Sequence, residues 1–224
     1  MTLLRTRLTS RLSLRDVKAI CLLAQGESNN AIKDELYRLS LDADHRVAVN
    51  ALWVFTHFTK EENTWLYAKH DELIDRTMSE TDVTKRRLLM TLLLCQPFVE
   101  DEVRTCFIDF CLSKITASSQ PYAIRALAIK LAYEQMRYWP ELIDELLAVL
   151  DMLRQEPLSP GLTSAVRQVR EKTKKQKSKS DKSKSGKKRS PQNETKKKAI
   201  KNALSLTAIE AIKLSAICFI ESLN

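Results

Sequence analysis

The sequence predicts an all-α protein built from repeated helical hairpins, and three observations carry that prediction. A pattern of about forty residues is written three times between Asp42 and Arg154. Only three glycines occur in 224 residues. Alternating β-branched runs closed by Asn-Gly or Asp-Gly turns, the sequence mark of paired strands, are missing.

Aligning Arg46, Arg86 and Arg125 sets successive offsets of 40 and 39 residues. Leu52, Leu92 and Leu131 then coincide, as do Ala48, Leu88 and Leu127, where a buried stripe needs aliphatic side chains. Each copy starts with a first helix, over 42–58, 81–98 and 118–136, and continues into a second apolar pattern. The second patterns are Leu66, Leu73, Ile74 and Met78; then Val103, Cys106, Phe107, Phe110 and Cys111; then Leu142, Ile143, Leu146, Leu147, Leu150 and Leu153. The last two sets step by three and four, which puts them on one helical face; the first is looser. A hairpin with two apolar stripes cannot cover both alone, so neighbouring pairs must stack to exclude water. Pro97, Pro121 and Pro140 fall between helices or in first turns, where a missing N–H costs nothing.

Before these copies, residues 13–25 begin with Ser-x-x-Asp, turn Val17, Ile20, Cys21 and Leu23 or Ala24 to one side and stop at Gly26. Residues 29–41 follow with Ile32, Leu36 and Leu39, so the pair reads as a shortened terminal repeat. Ahead of it, Arg5, Arg7, Arg11 and Arg15 precede the first acid, Asp16, and Leu4, Leu8 and Leu12 share a face. That segment fits an amphipathic helix capping the stack, with a mitochondrial presequence as the alternative. After the copies, Ser159 and Pro160 start a short sealing helix through Leu162, Ala165, Val166 and Val169. The folded domain is expected over 1–170. From 171 to 198 no aliphatic or aromatic side chain occurs, which predicts a disordered Lys/Ser-rich linker. Residues 199–224 return to helical spacing with Leu204, Ile209, Ile212 and Phe219, a C-terminal amphipathic helix expected to dock on the domain, on a partner or on a membrane surface.

The run DADHRVAVNALWV resembles the acidic-x-x-Val-Arg-x-x-Ala-x-x-Ala-Leu pattern of HEAT and armadillo-like repeats. The resemblance covers about half the chain, 42–154, and departs from the family in lacking the usual first-helix proline and in placing Leu88 and Leu127 where alanine is common. It implies a right-handed superhelical stack of about four hairpins whose second helices line the concave side. The chain is also similar in size and helix content to HEAT-like DNA alkylation repair glycosylases. Trp53, Trp65 and Trp139 with Asp71 or Asp75 are the only counterparts to that family's working residues, and their spacing reproduces no motif, so no role is carried over.

Charge separates the candidate functions. The net charge is +9, but 167–201 hold sixteen basic and three acidic residues, a net +13, leaving −4 for the rest. The second helices are acidic, with Glu72, Asp75, Asp109, Asp144, Glu145 and Asp151 as candidate contacts for a basic or helical protein partner. An acidic groove repels phosphate, which disfavours duplex binding by the body. Nucleic-acid or other anion contact falls instead to the tail, at Lys174, Lys175, Lys187, Lys188 and Arg189. The opposed charges suggest a tail that folds loosely over the acidic helices and competes with the partner, with an independent solvated linker or a non-specific contact with nucleic acid or membrane as the alternative.

Nucleotide, metal-protease and nucleophile-elbow motifs are absent from the sequence. His70, beside Asp71 and one turn from Asp75, is the one candidate for a polarised imidazole, on a charged helix where solvated clusters are common. Cys21, Cys95, Cys106, Cys111 and Cys218 lack any CxxC spacing and are expected as buried thiols, with no metal or cofactor. The expected protein is a non-enzymatic, cytoplasmic scaffold with no transmembrane segment.

Overall fold

The computed structural model describes residues 2–99, 103–153 and 157–183. All regular structure among them is helical, in two compact units that divide after Pro97.

The first unit contains α1 (Leu3–Leu8), α2 (Leu14–Leu23), a 3₁₀ turn (Glu27–Asn29), α3 (Asn30–Leu39), α4 (His45–Phe55) and α5 (Lys60–Asn63). A second 3₁₀ turn (Thr64–Lys69), α6 (His70–Ser79) and α7 (Val83–Leu94) complete it. Polar side chains at the helix starts satisfy N–H groups that the helices cannot. Ser13 accepts from the Asp16 backbone while Asp16 returns the bond, closing the capping box expected at α2. Asp44 accepts from the backbone of Arg46 and Val47 at α4, and Asp82 from Lys85 at α7. Gly26 ends α2 with φ +82°, a conformation that a Cβ would strain.

First helices lie side by side, α2 against α4 and α4 against α7, while α3 and α6 pack beneath. Leu52 and Leu92 are buried in register, with Ala48 and Leu88. Leu8 and Leu12 are buried and Leu4 half-buried, so the amphipathic face of the N-terminal segment meets the unit; Arg5 fixes it with a two-pronged contact to Asp42 at 2.7 and 2.9 Å. The looseness of the second pattern in this copy has a physical form: the expected single second helix is α5, a 3₁₀ turn and α6. Leu66 is buried from the turn, and Trp65 stacks on Phe55 with centroids 6.1 Å apart.

The second unit contains α8 (Thr105–Thr116), α9 (Tyr122–Met136), α10 (Pro140–Met152) and α11 (Pro160–Ser183). Helix α9 is its centre, packing against α8, α10 and α11, and Leu131 is buried there. Leu127, in register with Ala48 and Leu88, is only half-buried, because the solvent edge of α9 passes through it. The apolar face of α8 differs from the expected one: Phe107, Ile108, Cys111, Leu112 and Ile115 are buried, while Cys106 is exposed and Phe110 half-buried. Both sets share steps of three and four, and the face that meets α9 decides between them.

The repeated arginine has a use in each unit. Arg86 donates to the Glu80 carbonyl at the end of α6. Arg125, 1 % exposed, donates from Nε to the Ile115 carbonyl at 2.9 Å. Each ties the start of a first helix to the end of the helix before it. Arg46 is exposed.

Helix α11 runs past the expected boundary at 170, through Ser183. The reason lies in polar contacts that apolar periodicity does not register. Thr173 is 4 % exposed with its hydroxyl on the Val169 carbonyl, and Tyr133 Oη donates to Gln176 Oε1 at 3.2 Å. Residues 184–198 of the expected linker and the C-terminal helix at 199–224 lie outside the described residues. The thiol expectation is corrected: Cys111 is buried, Cys21 half-buried, and Cys95 and Cys106 are exposed, all four free.

Candidate protein-binding surface

The acidic residues singled out by sequence fall into three physical situations. On α6, in the first unit, Glu72 and Asp75 are exposed, and Asp75 already has a partner within the chain. On α10, Asp144 and Asp151 are exposed but occupied: Lys177 Nζ lies 3.0 Å from Asp144 and Arg170 Nη2 lies 2.7 Å from Asp151. Asp109 on α8 and Glu145 on α10 are half-buried, and among the described residues no ion pair is formed by either. Asp109 Oδ1 and Glu145 Oε1 are shut off from water and accept no hydrogen bond.

That arrangement has an electrostatic cost. Burial pushes the Asp109 carboxyl above its ordinary range, and burial followed by the negative charge of Asp109 does the same to Glu145. A cation between α8 and α10 would relieve both. The helix register separates this pair from the occupied acids: Glu145 looks toward α8 while Asp144 and Asp151, one and six positions away, look toward α11.

Helix α11 gives a physical example of what the acidic helices accept. Leu162, Ala165, Val166 and Val169 bury its apolar stripe, and beyond them its cations meet acids: Arg170 with Asp151, Lys172 with Glu134 at 2.9 Å, Lys177 with Asp144. Over this stretch the basic residues lie on an ordered helix, with Arg170 and Lys177 against α10 and Lys172 against α9. Of the tail residues expected to contact anions, Lys174 and Lys175 are exposed on α11, and Lys187, Lys188 and Arg189 lie outside the described residues. Lys175 also lines a cleft of about 440 Å³ with Tyr133, Arg137, Tyr138, Lys172 and Gln176. Glu134 holds two of those cations, Arg137 at 2.8 Å and Lys172.

A family model for the HEAT repeat domain matches residues 4–173. The chain belongs to the HEAT repeat family. No curated protein and no solved structure matches it. The matched span takes in α1 and the polar turn at Thr173, both outside the stretch that carried the resemblance in sequence.

The HEAT repeat places the remaining candidate residues in structural service. Trp65 stacks on Phe55, Trp53 meets His57 edge-on at 5.8 Å, and Trp139 is buried against Tyr138. His70 Nδ1 lies 2.6 Å from Gln96 Oε1, a contact that the neighbouring aspartates do not announce. His45 lies 3.1 Å from Asp82, the cap of α7. Among the described residues no three His, Cys, Asp or Glu side chains gather as metal ligands, and no helix is long and apolar enough to cross a membrane.

The pairing of Asp109 with Glu145 lies beyond sequence reasoning as a pair. Each was legible as an acid on a second helix, but their mutual approach depends on which faces of α8 and α10 turn together.

Proposed function

We propose that this HEAT repeat domain is a non-enzymatic scaffold that holds a basic, helical segment of a partner protein along α8 and α10. One observation carries the reading: Asp109 and Glu145 stay half-buried on neighbouring helices, each with a carboxylate oxygen that accepts no hydrogen bond among the described residues. Folding alone gains nothing from that arrangement, because the charged forms are disfavoured by burial. A partner's lysine or arginine would supply the missing charge, as Arg170 and Lys177 do for Asp151 and Asp144. Glu72 and Asp75 on α6 offer a second acidic contact in the first unit. The free thiols fit a reducing compartment, and the cytoplasm is the proposed location.

The test is a titration of the full chain with a synthetic Lys/Leu amphipathic helix, followed by Asp109→Asn/Glu145→Gln. The double substitution is expected to weaken binding by about tenfold. Unchanged affinity would remove these two residues from the surface.

A second reading, phosphate contact by the basic side of α11, is favoured by the exposed Lys174 and Lys175 and by the cationic cleft beside α9. Binding of a DNA duplex with a steep salt slope, reduced by K174E/K175E, would support it.

A further inference from the structure

The row of first helices in the first unit ends at α2, which packs on α4 as α4 packs on α7. A terminal unit of a helical repeat is expected to present a polar outer face. Helix α2 does not. Val17, Ile20 and Ala24 turn inward, while Leu14, Leu22 and Leu23 are 49 %, 64 % and 53 % exposed. Leu14, Lys18 and Leu22 follow one another at four-residue steps and form a ridge on the helix surface, with Arg15 exposed beside it. Arg11, exposed just ahead of the helix, adds positive charge. The one acid within α2, Asp16, is engaged: it accepts from the Ser13 backbone at 2.9 Å and hydroxyl at 2.6 Å and lies 4.0 Å from Arg7.

We infer that this outer face of α2 is a second docking surface, and that its occupant is an acidic amphipathic helix of a partner protein. Charge complementarity selects the occupant. Exposed leucines interleaved with Arg15 and Lys18 match a helix whose apolar stripe is edged by glutamate or aspartate. A second copy of this chain meeting the same face in a two-fold dimer would set Arg15 and Lys18 against their own images. The surface is distinct in charge from α10 and its Glu145–Asp109 pair, so the two sites select opposite partners.

The experiment uses the full chain and a synthetic Glu/Leu helix of about 20 residues with leucines at alternating three- and four-residue steps. Saturable binding is expected, and Leu14→Ser/Leu22→Ser should weaken it about tenfold while the helical circular dichroism is retained, because both side chains face water. That substitution is neutral in charge, so adventitious attraction of the peptide to the lysine-rich tail is unaffected by it. R15E/K18E should weaken the Glu/Leu helix and strengthen its Lys/Leu counterpart. An affinity that L14S/L22S leaves within about twofold would overturn the inference. So would binding of vesicles with about 30 % phosphatidylserine that the same substitution abolishes, which would give the face to a lipid surface.

Discussion

Glu145 is held where its negative charge is disfavoured twice, by burial and by Asp109. The sign of its effect on stability follows. A carboxyl raised in the folded state binds its proton more tightly folded than unfolded, so the charged form costs stability above the folded value. That cost is relieved as pH falls through the raised value toward the unfolded one. Glu145→Gln should therefore raise thermal stability at pH 7, by up to about 1 kcal/mol after allowing for solvent screening, with the gain vanishing near pH 4. Thermal melts of both proteins at the two pH values check it. Asp42 behaves oppositely: the Arg5 guanidinium, then the Asp44 backbone, hold its carboxyl down at about 2. Its contribution is complete above the ordinary carboxylate range and is lost as pH falls through about 2, and Arg5→Gln should flatten that acid limb. At Arg125, substitution by alanine removes a buried side chain and the donor to the Ile115 carbonyl, an expected loss of about 3 kcal/mol in chemical denaturation, whereas the exposed Arg46→Ala should stay within about 0.5 kcal/mol. All three arginines were legible in sequence as one repeated position. Their different burial was not, since it depends on whether a preceding helix end lies within reach.

At the scale of elements, start signals were the most legible because they are local chemistry. Ser13 with Asp16, Pro140 at the first position of α10, and Ser159 with Pro160 at α11 all sit where their side chains or rings require. What sequence could not resolve was set by tertiary contact: the apolar face of α8, the split of the second helix after α4, and the reach of α11 beyond Arg170. The last of these predicts a graded helix. Up to Val169, α11 is held by buried apolar side chains; beyond it Thr173 is buried and the remaining attachments are polar contacts near the surface. Raising salt from 0.1 to 1 M shortens the screening length from about 10 to about 3 Å. Amide exchange over 172–178 should accelerate across that range while 162–169 stays protected. Equal protection of both stretches would mean that ion pairing contributes little to the outer half. Thiol labelling reads the same exposure pattern: Cys95 and Cys106 should react quickly and Cys111, buried with its thiol pushed up, slowly in the native protein.

At the scale of the molecule, charge is sorted rather than balanced: acids collect on α6 and α10, cations on the exposed side of α2 and along α11. Forty-residue periodicity made the HEAT family legible, because each hairpin repeats the same demand for a neighbour. The proposed partner was less legible, since the proposal turns on which acids form ion pairs among the described residues and which do not. The decisive measurement is the ionisation of Glu145, followed by carboxyl NMR in the free chain and in the presence of saturating Lys/Leu helix. A value above the ordinary glutamate range that falls when the peptide binds is the predicted result. An ordinary value in the free chain, or a raised one that binding leaves unchanged, would contradict the account.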